Sequence, residues 1–319
     1  MAINLTPEAF AKSAVEFRKE LIMMITIGLA NSLQHMTLRP GVQYKQTVGE
    51  IAGNAQYGPY DPTRKNTTTD IKARTLEVFM GSVIKEFDPN TVYQSILGSM
   101  MLNGEALKNV PITKAILAAE LKSLSAKLNA AIFSASRVDA GTTSAQLFNG
   151  FDTIAQAEIT AGNIAAGKGN FMQLSEAITA SNAVDALKKI WRAAADEMQE
   201  NETVKLFLPY NVYNAYNDDY QATVGAVAYN KEFKKTFLEG SDNKCELVPL
   251  SSKKDSQFIQ LTTKQNMIVG TGNGNDLETL NVDRFAPFTL TLSSAILFGC
   301  QYETISKERL MIAKLFQGS

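Results

Sequence analysis

Behind Thr6 and Pro7, a capping residue followed by proline at the first helical position, residues 6 to about 33 carry a helix-like pattern. Arg39-Pro40-Gly41 breaks that helix, and Val42, Tyr44 and Val48 then mark an alternating segment over residues 42–51, which predicts a strand. Residues 53–70 hold Gly53, Asn54, Gly58, Pro59, Pro62, Asn66 and three consecutive threonines, with almost nothing aliphatic to bury. They cannot build a core of their own. Alternation returns over residues 71–87, where Leu76, Val78 and Met80 interleave with Thr75, Glu77 and Phe79. The two strands predict a long, projecting antiparallel hairpin. Its tip is either a surface excursion or an arm that orders on a neighbouring molecule.

The longest helical signal covers residues 112–136, with Leu117, Leu121, Leu124, Leu128 and Ile132 on one stripe and Lys114, Lys122 and Lys127 mostly off it. At about 1.5 Å per residue such a helix is roughly 37 Å long and can serve as a strut. The stripe is short for a coiled coil, and its flanks carry no paired charges. Pro111 marks its start, and Asp139 and Gly141 its end. Gly162, Gly167 and Gly169 among alanines read as a flexible connection. Behind Ser181 as a potential cap, Val184, Leu187, Ile190, Trp191, Ala194 and Met198 form an apolar helical face. Val204, Leu206 and Leu208 then alternate into a strand that stops at Pro209, and Tyr210, Tyr213 and Tyr216 resume helical spacing. Strand candidates follow at residues 246–250, 258–261, 267–269 and 288–302. The chain is mixed α+β, without an internal repeat at a solenoid or propeller period.

Composition narrows the function. With 319 residues and 45% hydrophobic content, the chain can build one large domain or two moderate ones. Thirty-one basic residues balance 32 acidic ones, so nothing marks it as a binder of polyanions. Cys245 and Cys300 lie in apolar, strand-like contexts without the short spacing of a zinc or redox motif. Buried free thiols are the default for such residues, with a disulfide as the alternative. The longest apolar run, residues 21–30, is about half of what a membrane span needs. Glu8, Glu16 and Glu20 among Lys12, Arg18 and Lys19 do not make the positive segment of a signal peptide.

Catalytic chemistry finds little support. His35 is the one histidine, which removes two-histidine metal motifs, and it reads as a helix C-terminal residue helped by the macrodipole. Gly81-Ser82 and Gly98-Ser99 lack the flanking glycines of a nucleophile elbow. The glycines of residues 270–276 follow an apolar strand, but their spacing is neither the dinucleotide nor the Walker pattern. A turn is the plainer reading there, with a calcium loop behind it. Asp218 and Asp219 read as a solvated helix end. No cofactor and no metal is expected.

The order of parts resembles the Hong Kong 97-type fold of tailed-phage major capsid proteins: arm, extended hairpin, long spine helix, α+β module and a late returning strand. Val204-Lys205-Leu206-Phe207-Leu208-Pro209-Tyr210 looks like the centre of that family's axial domain, and Lys264-Gln265-Asn266-Met267-Ile268-Val269-Gly270-Thr271 resembles its closing strand and turn, especially in phages of Bacteroidetes-type hosts. The resemblance implies an N-terminal arm over residues 1–37, an extended loop over 38–82, a peripheral domain with the spine helix over 83–150, an axial domain over 151–287, and a return to the peripheral domain over 288–319. It places Tyr57, Pro59, Tyr60, Arg64 and Lys65 of the loop at intersubunit contacts. The implied partners are copies of the chain in pentamers and hexamers, a portal, scaffolding or decoration proteins, and packaged DNA through weak non-specific contacts, with no membrane. The implied location is the virion capsid, assembled in the bacterial cytoplasm. The chain begins almost directly with the arm, so a separate scaffolding protein, or none, is expected. Some relatives form Lys-Asn isopeptide cross-links, for which Lys65 and Asn66 are among many candidates. An encapsulin-type compartment shell, built on the same fold, is the alternative.

Overall fold

The computed structural model describes residues 7–17, 21, 29–53, 59–61, 69–88, 112–200, 203–224, 236–272, 279–286 and 289–316. The first helical pattern appears as α1 (Pro7–Glu16) and α2 (Ala30–Leu33); residues 18–20 and 22–28 lie outside the described ones. A short strand, β1 (Thr37–Pro40), follows where the sequence suggested only a break. It runs parallel to a later strand at the end of its sheet, and Pro40 is its last residue, a position that tolerates a missing N–H.

The hairpin consists of β2 (Lys45–Gly53) and β3 (Thr69–Glu77), in register from Lys45 opposite Glu77 to Gly53 opposite Thr69. The single strand expected over residues 71–87 is instead two. Val78 interrupts it, donating its N–H to the Tyr44 carbonyl at 2.9 Å, and β4 (Phe79–Phe87) joins a different sheet. Apolar alternation continues through Val78, so the pattern carried no sign that the chain changes partners there.

The spine helix, α3 (Ile112–Ala131), has the expected phase: Leu117, Leu121 and Leu128 are buried, while Lys122 and Lys127 are exposed. It ends five residues early, and Ile132 and Phe133 continue into the core as a turn. Two elements come next that the periodicity did not reveal, α4 (Phe151–Thr160) and β5 (Phe171–Gln173). The helix expected behind Ser181 is divided into α5 (Ala183–Ala193) and α6 (Asp196–Glu200) by the extended backbone of Ala194. Asn182, not Ser181, holds the N-cap position, and its side-chain oxygen turns back to accept from the Thr179 N–H at 2.8 Å.

The strand and helix around Pro209 form as expected, β6 (Val204–Leu208) and α7 (Tyr210–Val224). Six strands complete the chain: β7 (Cys245–Pro249), β8 (Phe258–Thr263), β9 (Met267–Thr271), β10 (Thr279–Ala286), β11 (Thr289–Tyr302) and β12 (Leu310–Lys314). One five-stranded sheet has the order β1-β9-β11-β10 with β4 also on β11; the other has the order β5-β12-β8-β6-β7; the hairpin is a sheet of its own.

Alternation along β6 places its side chains in two cores. Leu206 and Leu208 join Leu187, Trp191 and Tyr216 from the helices on one side, whereas Phe207 meets Phe133 and Phe258 on the other. The second sheet is therefore a wall shared by both cores, which is why β8 is buried along its whole length. Cys245 and Cys300 are buried free thiols, and burial pushes Cys245 up to about 12.

Candidate intersubunit surfaces

Four of the large apolar side chains left in solvent belong to the hairpin and the strand that follows it. Tyr44 (64% exposed) stands at the hairpin root and Tyr60 (94%) in its tip, while Met80 (53%) and Ile84 (75%) project from β4. Of the five loop residues expected at contacts, Pro59 and Tyr60 are exposed; Tyr57, Arg64 and Lys65 lie outside the described residues. The structure does not bring the described pair into contact with a defined site.

Met80 and Ile84 were not singled out by sequence reasoning, although a signal exists. Residues 79–87 carry apolar side chains on both faces: Phe79, Val83 and Phe87 on one, Met80 and Ile84 on the other. A strand that covers only one core needs one apolar face, so the second was available for a partner. Beside it runs a groove of about 730 Å³ between β4, the second half of α3 and residues 137–147, lined by Met80, Leu124, Leu128, Val138, Leu147 and Ile296. Arg137 braces its rim: the guanidinium stacks 3.8 Å from the centre of the Phe79 ring, donates to the Leu147 carbonyl at 2.8 Å and pairs with Asp139 at 2.9 Å.

A buried polar cluster lies inside the larger core. Lys253 is fully buried and donates to Gln260 Oε1 at 2.5 Å, Ser256 Oγ at 3.0 Å and Asp152 Oδ1 at 3.4 Å, with the Phe133 ring 4.2 Å from its Nζ. Gln260 Nε2 closes the triangle by donating to Asp152 Oδ1 at 2.5 Å. Burial pulls the Lys253 ammonium down to about 8, against the opposing charge and hydrogen bond of Asp152. The cluster joins α4, β8 and the turn after the spine helix. It is a structural clamp.

His35 follows α2 and lies between Lys205, 3.3 Å from its Nδ1, and Glu246, 3.9 Å away. Burial, and then the Lys205 charge, hold its pKa below the ordinary value of 6.5, which reverses the macrodipole expectation. Among the described residues no group of three or more His, Cys, Asp or Glu is placed to hold a metal ion, and no helix is long and apolar enough to cross a membrane. Gly270 and Thr271 belong to β9, and residues 273–276 of the glycine loop lie outside the described ones.

No protein-family model and no curated protein matches the sequence. Solved structures do. A chain of the satellite phage P4 procapsid with its size determination protein superposes over 92% of this chain and 90% of its own, with a TM-score of 0.58 at 11% identity. A chain of the capsid of the native GTA particle gives 0.55 at 14% identity over 91% of each chain. The cyanophage A-1(L) capsid gives 0.52 at 14% identity, covering 90% of this chain and 93% of its own. This chain has the Hong Kong 97-type capsid fold. Within that fold the hairpin is a sheet of its own, and Met80 and Ile84 of β4 stand in solvent beside the groove.

Proposed function

We propose that the chain is a major capsid protein of a tailed bacteriophage, a subunit that assembles with copies of itself into pentamers and hexamers of an icosahedral shell around double-stranded DNA. The observation that carries this reading is the superposition on phage capsid chains over nearly the full length of both partners, with the hairpin left as a separate two-stranded sheet. In the assembly the arm comprises residues 1–37, the extended loop 38–82, the peripheral domain 83–150 and 288–319, and the axial domain 151–287. The loop tip, with Tyr57, Pro59, Tyr60, Arg64 and Lys65, meets a neighbouring subunit.

The physical logic is that of heterologous contacts closing into rings. Met80, Ile84 and Tyr60 are left in water by the single chain, and burying them on a neighbour recovers hydrophobic free energy that folding does not. The near-neutral charge suits an inner wall that must not grip the genome during packing or ejection. The function is non-enzymatic, and DNA, portal and scaffolding or decoration proteins are its partners.

Electron microscopy and sedimentation of the purified chain, at varied salt and with or without a scaffolding partner, test the reading. Hollow icosahedral shells are expected. A monodisperse species of 34.8 kDa under every condition overturns it. Shells from the native source that enclose an enzyme cargo in place of DNA would return the encapsulin-type reading.

A further inference from the structure

The hairpin is joined to the body in a particular way. Its root, Glu77 and Val78, sinks into a notch made by two glycines that face each other across the β9–β11 ladder, Gly270 and Gly299. A Cβ on Gly299 would stand 2.1 Å from the Glu77 carbonyl oxygen, and one on Gly270 would stand 2.8 Å from Val78 Cγ1, so any side chain at either position pushes the root out. Val78 is also where the chain leaves the hairpin and enters the first sheet. The notch is a seat about which a two-stranded ribbon can tilt, because the hairpin shares no ladder with either large sheet.

Val48 and Leu76 bury with Ile268 and Leu297 at the root, and Glu50 further along accepts from Ser306 Oγ at 3.3 Å; the densest polar hold gathers on one side chain. Arg74, on β3 and facing the body, donates through Nη2 to Glu158 Oε1 on α4 at 2.7 Å and to Gln301 Oε1 on β11 at 3.0 Å. Gln301 returns a bond from its Nε2 to the Thr75 carbonyl at 3.0 Å. Asn163 donates to the other Glu158 oxygen at 2.8 Å, holding the carboxylate toward the hairpin. Burial disfavours the Glu158 charge, but hydrogen bonds from Asn163 and Arg74, together with the Arg74 charge, outweigh it and keep the carboxyl below its ordinary range. The group is therefore ionised at neutral pH. The Arg74 Nε is buried without a hydrogen-bond partner, so the hold is strong but not fully satisfied.

We propose that Arg74 is the positioning residue that sets the angle of the hairpin on the body, and through it the curvature of the shell; the second half rests on the capsid reading. A guanidinium that bridges two elements at fixed geometry defines an orientation, which a lysine point charge would not. A small change of angle at the root becomes a large displacement at the tip of a nine-residue ribbon, where the neighbour is met.

Spin labels at Thr47→Cys on the hairpin and Ser123→Cys on the spine helix report the angle as a distance in the full chain. The native thiols are buried and do not label. The parent is expected to give one narrow distance distribution, and Arg74→Gln and Glu158→Gln a broad or displaced one at unchanged circular dichroism. Arg74→Lys is expected to restore the narrow distribution only in part. An unchanged distribution in Arg74→Gln overturns the proposal. Shell diameters by electron microscopy read the second half: parent shells of one size against mixed sizes or open sheets for Arg74→Gln support it, and identical diameters with an altered distance distribution overturn it. If the parent builds no shell, the capsid reading and its curvature corollary fail together, while the distances still decide the role of Arg74.

Discussion

The clamp at Lys253 and the latch at Arg74 use the same kind of chemistry, a cation bridging a carboxylate and a glutamine, in opposite settings. Lys253 is inside the protein, packed against Phe133 in the larger core, so removing it leaves the nearly buried Asp152 without its cation. Arg74 is at the edge of a ribbon whose outward positions, Gln46, Thr47 and Thr75 among them, face solvent. The first interaction bears on the stability of the body; the second, as proposed, on where a folded part points. On the proposed capsid function the two tasks are separate, since surfaces reserved for a neighbour cannot also contribute to the stability of the single chain.

The sharpest test of the body is at the spine stripe. Leu121→Asp puts an unpaired charge in a fully buried position and is expected to cost several kcal/mol, on the order of the whole stability of a domain, leaving insoluble or unfolded protein. Lys122→Asp, exposed beside it, should change the denaturation midpoint little. Equal damage from both would mean that the helix phase is wrong.

Lys253→Met comes next, at about 3–5 kcal/mol by chemical denaturation, because it breaks a buried pair and strands the carboxylate. Lys253→Met combined with Asp152→Leu should recover part of that loss. The pH dependence has a definite sign. An ammonium that titrates near 8 when folded and at its ordinary 10.5 when unfolded leaves the unfolded chain with the extra proton between those values. Stability contributed at this residue therefore rises from pH 8 to 10.5, and the rise should be missing from the variant. Cys245 acts the other way. Its unfolded thiol loses a proton near 9 and the folded one only near 12, so it lowers stability across that window in parent and variant alike. The difference between the two pH profiles isolates Lys253.

The hairpin should respond differently. Ala52 and Asp70 are register partners, so replacing residues 53–69 by Asn-Gly closes the ribbon with a type I′ turn. Thermal unfolding is expected to remain cooperative, within about 1 kcal/mol of the parent, while the protein stays as monomers or small rings where the parent forms shells. Normal shells from this variant would assign the tip to a solvated loop. Tyr60→Ser, the smallest change, should leave stability within about 0.5 kcal/mol and slow assembly as followed by light scattering.

Much of this architecture is local and could be read from the chain alone. The leucine stripe of α3, the strand that stops at Pro209, and the coreless composition of residues 53–70 each depend on spacings of two to four residues or on composition. Those periodicities gave a mixed α+β chain, and the order of its parts carried the resemblance to the capsid fold; Pro59 and Tyr60 are exposed in the tip. Which element pairs with which is not a local property. Val78 looks like any other apolar strand position until the chain turns from one sheet to another, and Lys253 looks like a surface lysine until β8 and α4 close over it. Arg74 meets Gln301 from 227 positions away, and Gly270 and Gly299 make a notch only because β9 and β11 lie side by side. The sequence determined the elements, since backbone and burial preferences act within a few residues. Tertiary structure alone decided the seat, the latch and the clamp, because each is made by groups that share no sequence neighbourhood and acquire their chemistry from being brought together away from water.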